Sequence, residues 1–155
     1  MSPRWEPDPD IRRGNHVVYH LHAHLVFVTK CRQGVFNGEM LTRCEEIMRD
    51  VCESFGAELH EFNGEGDHVH LLVHYPPKIA LSKLVNSLKG VSSRYLRAEY
   101  TGRISRIGTG SVFWSPSYFA GSCGGPPLSI VKDYIDNQKR ANLTVTPQTQ
   151  RTPAE

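Results

Sequence analysis

Gly64-Glu65-Gly66-Asp67-His68-Val69-His70-Leu71-Leu72-Val73-His74 reads as a tight turn running into a strand: two glycines and an aspartate precede a run in which β-branched and apolar residues alternate. A period of two places Val69, Leu71 and Val73 on one face and His68, His70, Leu72 and His74 on the other. The first face is apolar enough to seal a core. The second presents two imidazoles side by side, about 6–7 Å apart along the strand. That spacing suits two ligands on one divalent metal, because each neutral ring offers a nitrogen lone pair.

Two histidines do not close a metal site. The best source of a third ligand is Val131-Lys132-Asp133-Tyr134-Ile135-Asp136-Asn137-Gln138, a helical segment in which Tyr134 and Gln138 stand i and i+4 on one face. Docked over the histidine strand, that face would bring a phenol and an amide oxygen to the same metal. A metal beside a tyrosine suits phosphodiester chemistry, in which the metal polarises a phosphate and the phenolate attacks it. Each element also has a plainer reading. H-x-H on a strand arises by chance, and Tyr134 fits an apolar stripe with Leu128, Val131 and Ile135 as a half-buried core residue. Together the two elements are more specific than either alone.

Asp67-His68-Val69-His70-Leu71-Leu72-Val73 resembles the His-hydrophobic-His motif of the HUH endonucleases, and Tyr134-x-x-x-Gln138 resembles the tyrosine helix of the single-tyrosine transposases of compact bacterial insertion sequences, the insertion-sequence 200/605-like family. Tyr19 to Lys30, Leu84 to Arg94 and Phe113 to Phe119 are family-like as well, and the similarity runs from His16 to Arg140 in the family's order. The resemblance implies that Tyr134 is the nucleophile, that His68, His70 and Gln138 hold Mg²⁺ or Mn²⁺, and that cleavage leaves a 5′-phosphotyrosine and a free 3′-hydroxyl. It also implies recognition of subterminal hairpins in single-stranded DNA, and a homodimer whose active sites are shared between chains. Asp67 is a candidate to orient a ligand from behind, with a plain turn role equally open. A housekeeping tyrosine nuclease acting on chromosomal repeat hairpins would carry the same motifs, and a catalytically silent DNA-binding module would keep the fold.

The remaining chain fits one domain. Its 155 residues, 39% hydrophobic and 22% charged, allow a single substantial core and argue against wholesale disorder. A formal net charge of +2 is too small to indicate nucleic acid, so that case rests on where the basic residues lie. No apolar run reaches membrane-spanning length, and Cys31, Cys44, Cys52 and Cys123 form no C-x-x-C pair, which suits a reducing cytoplasm. Residues 1–15, with Pro3, Pro7 and Pro9, read as a mobile leader, 16–140 as the domain and 141–155 as a disordered tail.

His16 to Lys30 alternates as a first strand, with Tyr19, Leu21, Ala23, Leu25 and Phe27 on one face and His20, His22, His24, Val26 and Val28 on the other. The outer histidines are expected in solvent, and His24 at the edge of the cleft without ligating. Asn37 caps a helix with Glu39 in its first turn, carried by Met40, Cys44, Ile47, Val51 and Phe55 and stopped by Gly56. Ala57 to Asn63 forms the second strand, and Tyr75-Pro76-Pro77 ends the histidine strand. Leu81, Leu84, Val85, Leu88, Val91, Tyr95 and Leu96 mark a second amphipathic helix. Lys83, Lys89, Arg94 and Arg97 on its remaining surface, with Lys78, Arg103 and Arg106 nearby, are candidates for DNA contact. Residues 102–110 read as a loop, Val112 to Ser122 as a last strand, and Gly121, Gly124, Gly125, Pro126 and Pro127 as a break before the tyrosine helix. The expected class is α+β: a ferredoxin-like antiparallel sheet with two scaffold helices on one face, the histidine strand central, the other face free, and a C-terminal tyrosine-bearing helix added.

Overall fold

Two amphipathic helices and three strands of alternating character share one core, a fourth strand completes the sheet, and the order of the elements leaves one sheet face open. The computed structural model describes residues 11–14, 17–30, 34–107, 112–122 and 134–137. The elements are β1 (Arg12–Arg13), β2 (Val18–Tyr19), β3 (His22–Val28), α1 (Gly38–Ser54), β4 (Glu58–Gly64), β5 (His68–His74), α2 (Leu81–Glu99), α3 (Thr101–Ile107) and β6 (Phe119–Ser122). The main sheet is antiparallel with strand order β4-β5-β3-β6, the ferredoxin-like arrangement, and the histidine strand β5 is central.

Alternation decides which face is sealed. Ala23, Leu25 and Phe27 of β3 and Val69, Leu71 and Val73 of β5 are buried in one cluster with Met40, Cys44, Ile47 and Met48 of α1 and Leu84, Val85, Leu88 and Leu96 of α2. Both helices therefore cover that face. The start of α1 is set by Asn37, whose side chain accepts the Met40 amide at 2.8 Å. Its end is set by Gly56, whose φ of 74° is reached without the cost a Cβ imposes there.

Four stretches depart from the sequence reading. The first strand is broken in two, because β5 ends before Pro76-Pro77 and leaves nothing for Val18–Tyr19 to pair with in the main sheet; that segment pairs instead with Arg12–Arg13. Arg12, assigned to a mobile leader, thus belongs to a hairpin and reaches Glu58 at 2.7 Å. Residues expected as a loop form α3, because Ile104 at 4% exposure has a place in the core. The last strand is confined to Phe119–Ser122: Phe113 and Trp114 are consecutive and both buried, which no period of two permits, and only a Thr29–Trp114 bridge continues the pairing. Tyr95, counted in the apolar stripe of α2, is exposed, with the guanidinium groups of Arg43 and Arg94 over its ring. Residues 1–10, Gln138, the Gly124-Gly125-Pro126-Pro127 break and the tail after 140 lie outside the described residues.

Candidate active site

The open face is assembled by register. Across β5 and β3, His68 pairs with Val28, His70 with Val26 and Leu72 with His24; on the far side of β3, Val26 faces Phe119 of β6. Val26 and Val28 form a small second apolar cluster with Ile135, against which Phe119 and Tyr134 pack. Helical residues 134–137 are thereby held over the strand next to the two histidines, on their own chain's sheet.

His68 and His70 lie with ring centroids 5.0 Å apart and planes at 72°. The Nδ1 of His68 is 2.7 Å from Asp67 Oδ1. A carboxylate only accepts, so Nδ1 carries a proton, and in the neutral ring the lone pair is then on Nε2. The Asp67 backbone carbonyl is itself fixed, accepting from the Thr29 amide at 2.9 Å and the Thr29 hydroxyl at 3.2 Å. Glu65 brings Oε2 to 3.6 Å from that Nε2 from an exposed position. His70 is held below the usual imidazole range, first by burial and then by its neighbour His68, so its neutral, lone-pair-bearing form is favoured. His70 in its neutral form and His68, backed by a carboxylate, form a donor pair that fits a divalent cation. Among the described residues no group of three or more His, Cys, Asp or Glu side chains could hold a metal ion, so a third protein ligand has to be of another type or come from elsewhere.

Tyr134 is half-buried, its ring centroid 5.8 Å from that of Phe119. Its Oη lies 2.9 Å from Ser117 Oγ. Burial pushes the phenol above its usual range, and the Ser117 contact pulls against that shift. Ser117 precedes β6, on the side of β3 away from β5, so the hydroxyl engages the β6 side of the cleft. Sequence reasoning missed Ser117, because an exposed serine beside a proline carries no periodic signal. His24 sits where expected, lining a shallow hollow of about 310 Å³ with Glu61, Asn63, His70, Leu71 and Leu72. His22 does not: it is 7% exposed, stacked on His74 at 3.7 Å, at the far end of β5 from His68.

The basic residues are dispersed. Since α2 covers the sealed face, Lys83, Arg94 and Arg97 lie across the sheet from His68 and His70. Lys78, Lys83 and Arg94 are exposed. Lys89 is turned onto backbone carbonyls of residues 115–117, Arg103 Nε donates to the Val35 carbonyl at 2.6 Å, and Arg106 belongs to α3. Among the described residues no helix is long and apolar enough to cross a membrane.

Comparison with known proteins places this geometry. Residues 17–138 match the family described as "Transposase IS200 like". The ISDra2 transposase TnpA of Deinococcus radiodurans is 30% identical over 129 residues, covering 83% of this chain and 91% of that protein. The transposase for insertion sequence element IS200 of Salmonella typhimurium is 31% identical over 123 residues, covering 79% and 80%. A Deinococcus radiodurans R1 crystal structure assigned as a transposase superposes with a TM-score of 0.75 at 30% identity, covering 82% of this chain and 97% of that one. The chain belongs to the IS200-like transposase family, whose members are DNA-cleaving enzymes that use tyrosine chemistry.

Proposed function

We propose that this protein cuts and rejoins single-stranded DNA at the ends of an insertion sequence, with Tyr134 as nucleophile. The observation that carries the reading is the open face itself: a carboxylate-backed His68 beside a neutral His70, with Tyr134 held over the adjoining strand. In cleavage, the Tyr134 oxygen forms a bond to phosphorus as the bond to the 3′ oxygen breaks. The phenolic proton ends on the released 3′-hydroxyl, and the 5′ end stays on the protein as a phosphotyrosine. One phosphodiester replaces another, so joining is the same step reversed and needs no nucleoside triphosphate. His68, His70 and Gln138 would hold Mg²⁺ or Mn²⁺, which supplies charge withdrawal from a non-bridging phosphate oxygen. The chain's own contributions are to favour the neutral form of His70, to fix the His68 tautomer through Asp67, and to pack Phe119 and Ile135 against Tyr134. To attack, the hydroxyl has to exchange Ser117 for the phosphate.

The test is incubation with single-stranded hairpin oligonucleotides from the flanks of its own gene, with Mg²⁺ or Mn²⁺, read by denaturing electrophoresis. A covalent protein–DNA adduct that disappears in Tyr134→Phe while hairpin binding persists supports the assignment. Cleavage without an adduct indicates a water nucleophile, and an adduct in Tyr134→Phe rules Tyr134 out.

Excision needs two ends cut and exchanged, and one chain offers one such nucleophile; a homodimer supplies two. We infer that each site pairs His68 and His70 of one chain with Tyr134 and Gln138 of the other. In the single chain, residues 134–137 are held on their own sheet by Ile135, whose burial contributes about 1.5–3 kcal/mol, and by the contacts of Tyr134 with Phe119 and Ser117, all of which an exchanged helix would remake on the other chain's sheet. A forced heterodimer of one Tyr134→Phe chain and one His68→Ala/His70→Ala chain tests it. Cleavage by the mixture, with both parent homodimers dead, supports sharing; a silent mixture that is dimeric and binds the hairpin excludes it.

A further inference from the structure

Lys89 stands four residues after buried Val85 and three before buried Ser92, so its stem leaves α2 at the border of the packed stripe rather than on the outer surface. Its Nζ donates to the backbone carbonyls of Ser115 at 2.8 Å, Ser117 at 3.2 Å and Pro116 at 3.4 Å. An ammonium has three protons, and three consecutive carbonyls receive them. The same nitrogen lies 5.9 Å from the Phe27 ring centroid and 5.8 Å from that of Tyr118. Burial holds the ammonium below its usual range, the opposite of what a solvated phosphate-tracking lysine experiences. The loop so gathered ends at Ser117, whose hydroxyl holds the Tyr134 oxygen at 2.9 Å.

We propose that Lys89 is a positioning residue for strand cleavage: its ammonium pins the 115–117 loop and, through Ser117, sets where the hydroxyl of the Tyr134 docked on that sheet, from its own chain or from the other chain of a dimer, rests when DNA arrives. The inference builds on Tyr134 as the nucleophile. It reassigns Lys89 from tracking a phosphate backbone to organising the cleft from beneath.

Single-turnover adduct formation and hairpin affinity are measured on full-length variants, with a hairpin oligonucleotide from the gene's own flank and Mg²⁺. Lys89→Met is expected to slow the adduct rate at saturating DNA by about ten- to a hundredfold, the scale on which a small misplacement acts, with affinity and its salt dependence unchanged. A lysine on phosphate gives the reverse: weaker binding, a salt slope reduced by about one, and an unchanged saturated rate. Lys89→Arg sharpens the contrast. A phosphate contact tolerates it, whereas a planar fork cannot aim three protons at three carbonyls from the same hollow, so the pin predicts a slowed rate. Ser117→Ala should slow the step as well, and its effect should not add to that of either Lys89 variant, because both act through one contact. A wild-type rate in Lys89→Arg, or additive losses with Ser117→Ala, overturns the inference. Should Lys89→Met fail to fold, Lys89→Arg and Ser117→Ala decide the matter alone. Tyr134→Phe separates the two levels: a persisting adduct there sinks the nucleophile assignment itself, while a dead Tyr134→Phe beside a fully active Lys89→Arg sinks only the role of Lys89.

Discussion

Replacing Asp67 by Asn tests the metal reading at its most exposed joint. The substitution leaves the backbone carbonyl that binds Thr29 in place and changes only what faces His68 Nδ1 at 2.7 Å. The two side chains are 17% and 7% exposed, so the bond is little weakened by solvent. A hydrogen bond to a charged group contributes about 1.5–3 kcal/mol and a neutral one about 0.5–1.5. If the amide oxygen takes over the Nδ1 proton, the difference is about 1–1.5 kcal/mol, or roughly five- to tenfold weaker Mn²⁺ binding. Asp67→Ala removes the partner altogether, and the loss should approach the upper end of the roughly 10–100-fold range typical of groups that back a metal-ligating histidine. Calorimetric Mn²⁺ titration measures both, and ¹⁵N spectra of the metal-free protein report whether His68 keeps its proton on Nδ1. Wild-type Mn²⁺ affinity in both variants, with His68 still protonated at Nδ1, would refute the claim that Asp67 prepares this ring for a metal.

Three further outcomes follow from packing and burial. Ser92→Ala strips the Trp114 indole N–H of its buried partner at 3.0 Å and should cost about 1–3 kcal/mol in urea unfolding; an unchanged midpoint would show that the indole finds another acceptor. Burial raises the Cys52 thiol to about 12 and the Cys44 thiol higher still, so at neutral pH both should stay unlabelled by thiol reagents until the chain unfolds; rapid native labelling of either would contradict their placement in the core. Because the folded chain favours the neutral phenol of Tyr134, that contribution to stability is present below the unfolded tyrosine pKa and is lost as pH rises through the folded one. Ser117→Ala removes the contact that opposes the shift, so absorbance titration should find Tyr134 ionising at higher pH than in the parent; a downward move would show that Ser117 stabilises the neutral phenol instead.

Much of the fold was legible because its signals are local. Val69, Leu71 and Val73 alternate with His68 and His70, and the period alone separates sealed from open face. Asn37 and Gly56 mark the ends of α1 through backbone chemistry that needs no tertiary partner. What failed was decided by neighbours distant in sequence. Val18–Tyr19 leaves the main sheet because β5 stops at His74, and Ile104 is helical and buried because the main core takes it in. His22, expected in solvent, is covered by His74 across the sheet and flanked by His20.

The site divides along the same line. His68 and His70 share one strand, so their spacing is written in two residues, whereas the contact between Tyr134 and Ser117 depends on how β6 is placed. Lys89 shows how a charge can mislead. Counted with Lys83, Arg94 and Arg97 it extends a basic surface, yet its helical position tells otherwise: Val85, Lys89, Ser92 and Leu96 follow one another at i, i+4, i+7 and i+11, the spacing of a buried edge. A lysine in that row has to lay its stem along apolar surface and find acceptors for its head. Ser92 in the same row is also polar, and its partner is the Trp114 indole, at the start of the segment whose carbonyls Lys89 gathers. Two polar residues at adjoining positions of an otherwise apolar stripe thus meet one irregular segment, and the irregularity that takes Phe113 to Ser117 out of the expected last strand is what exposes its carbonyls to the lysine.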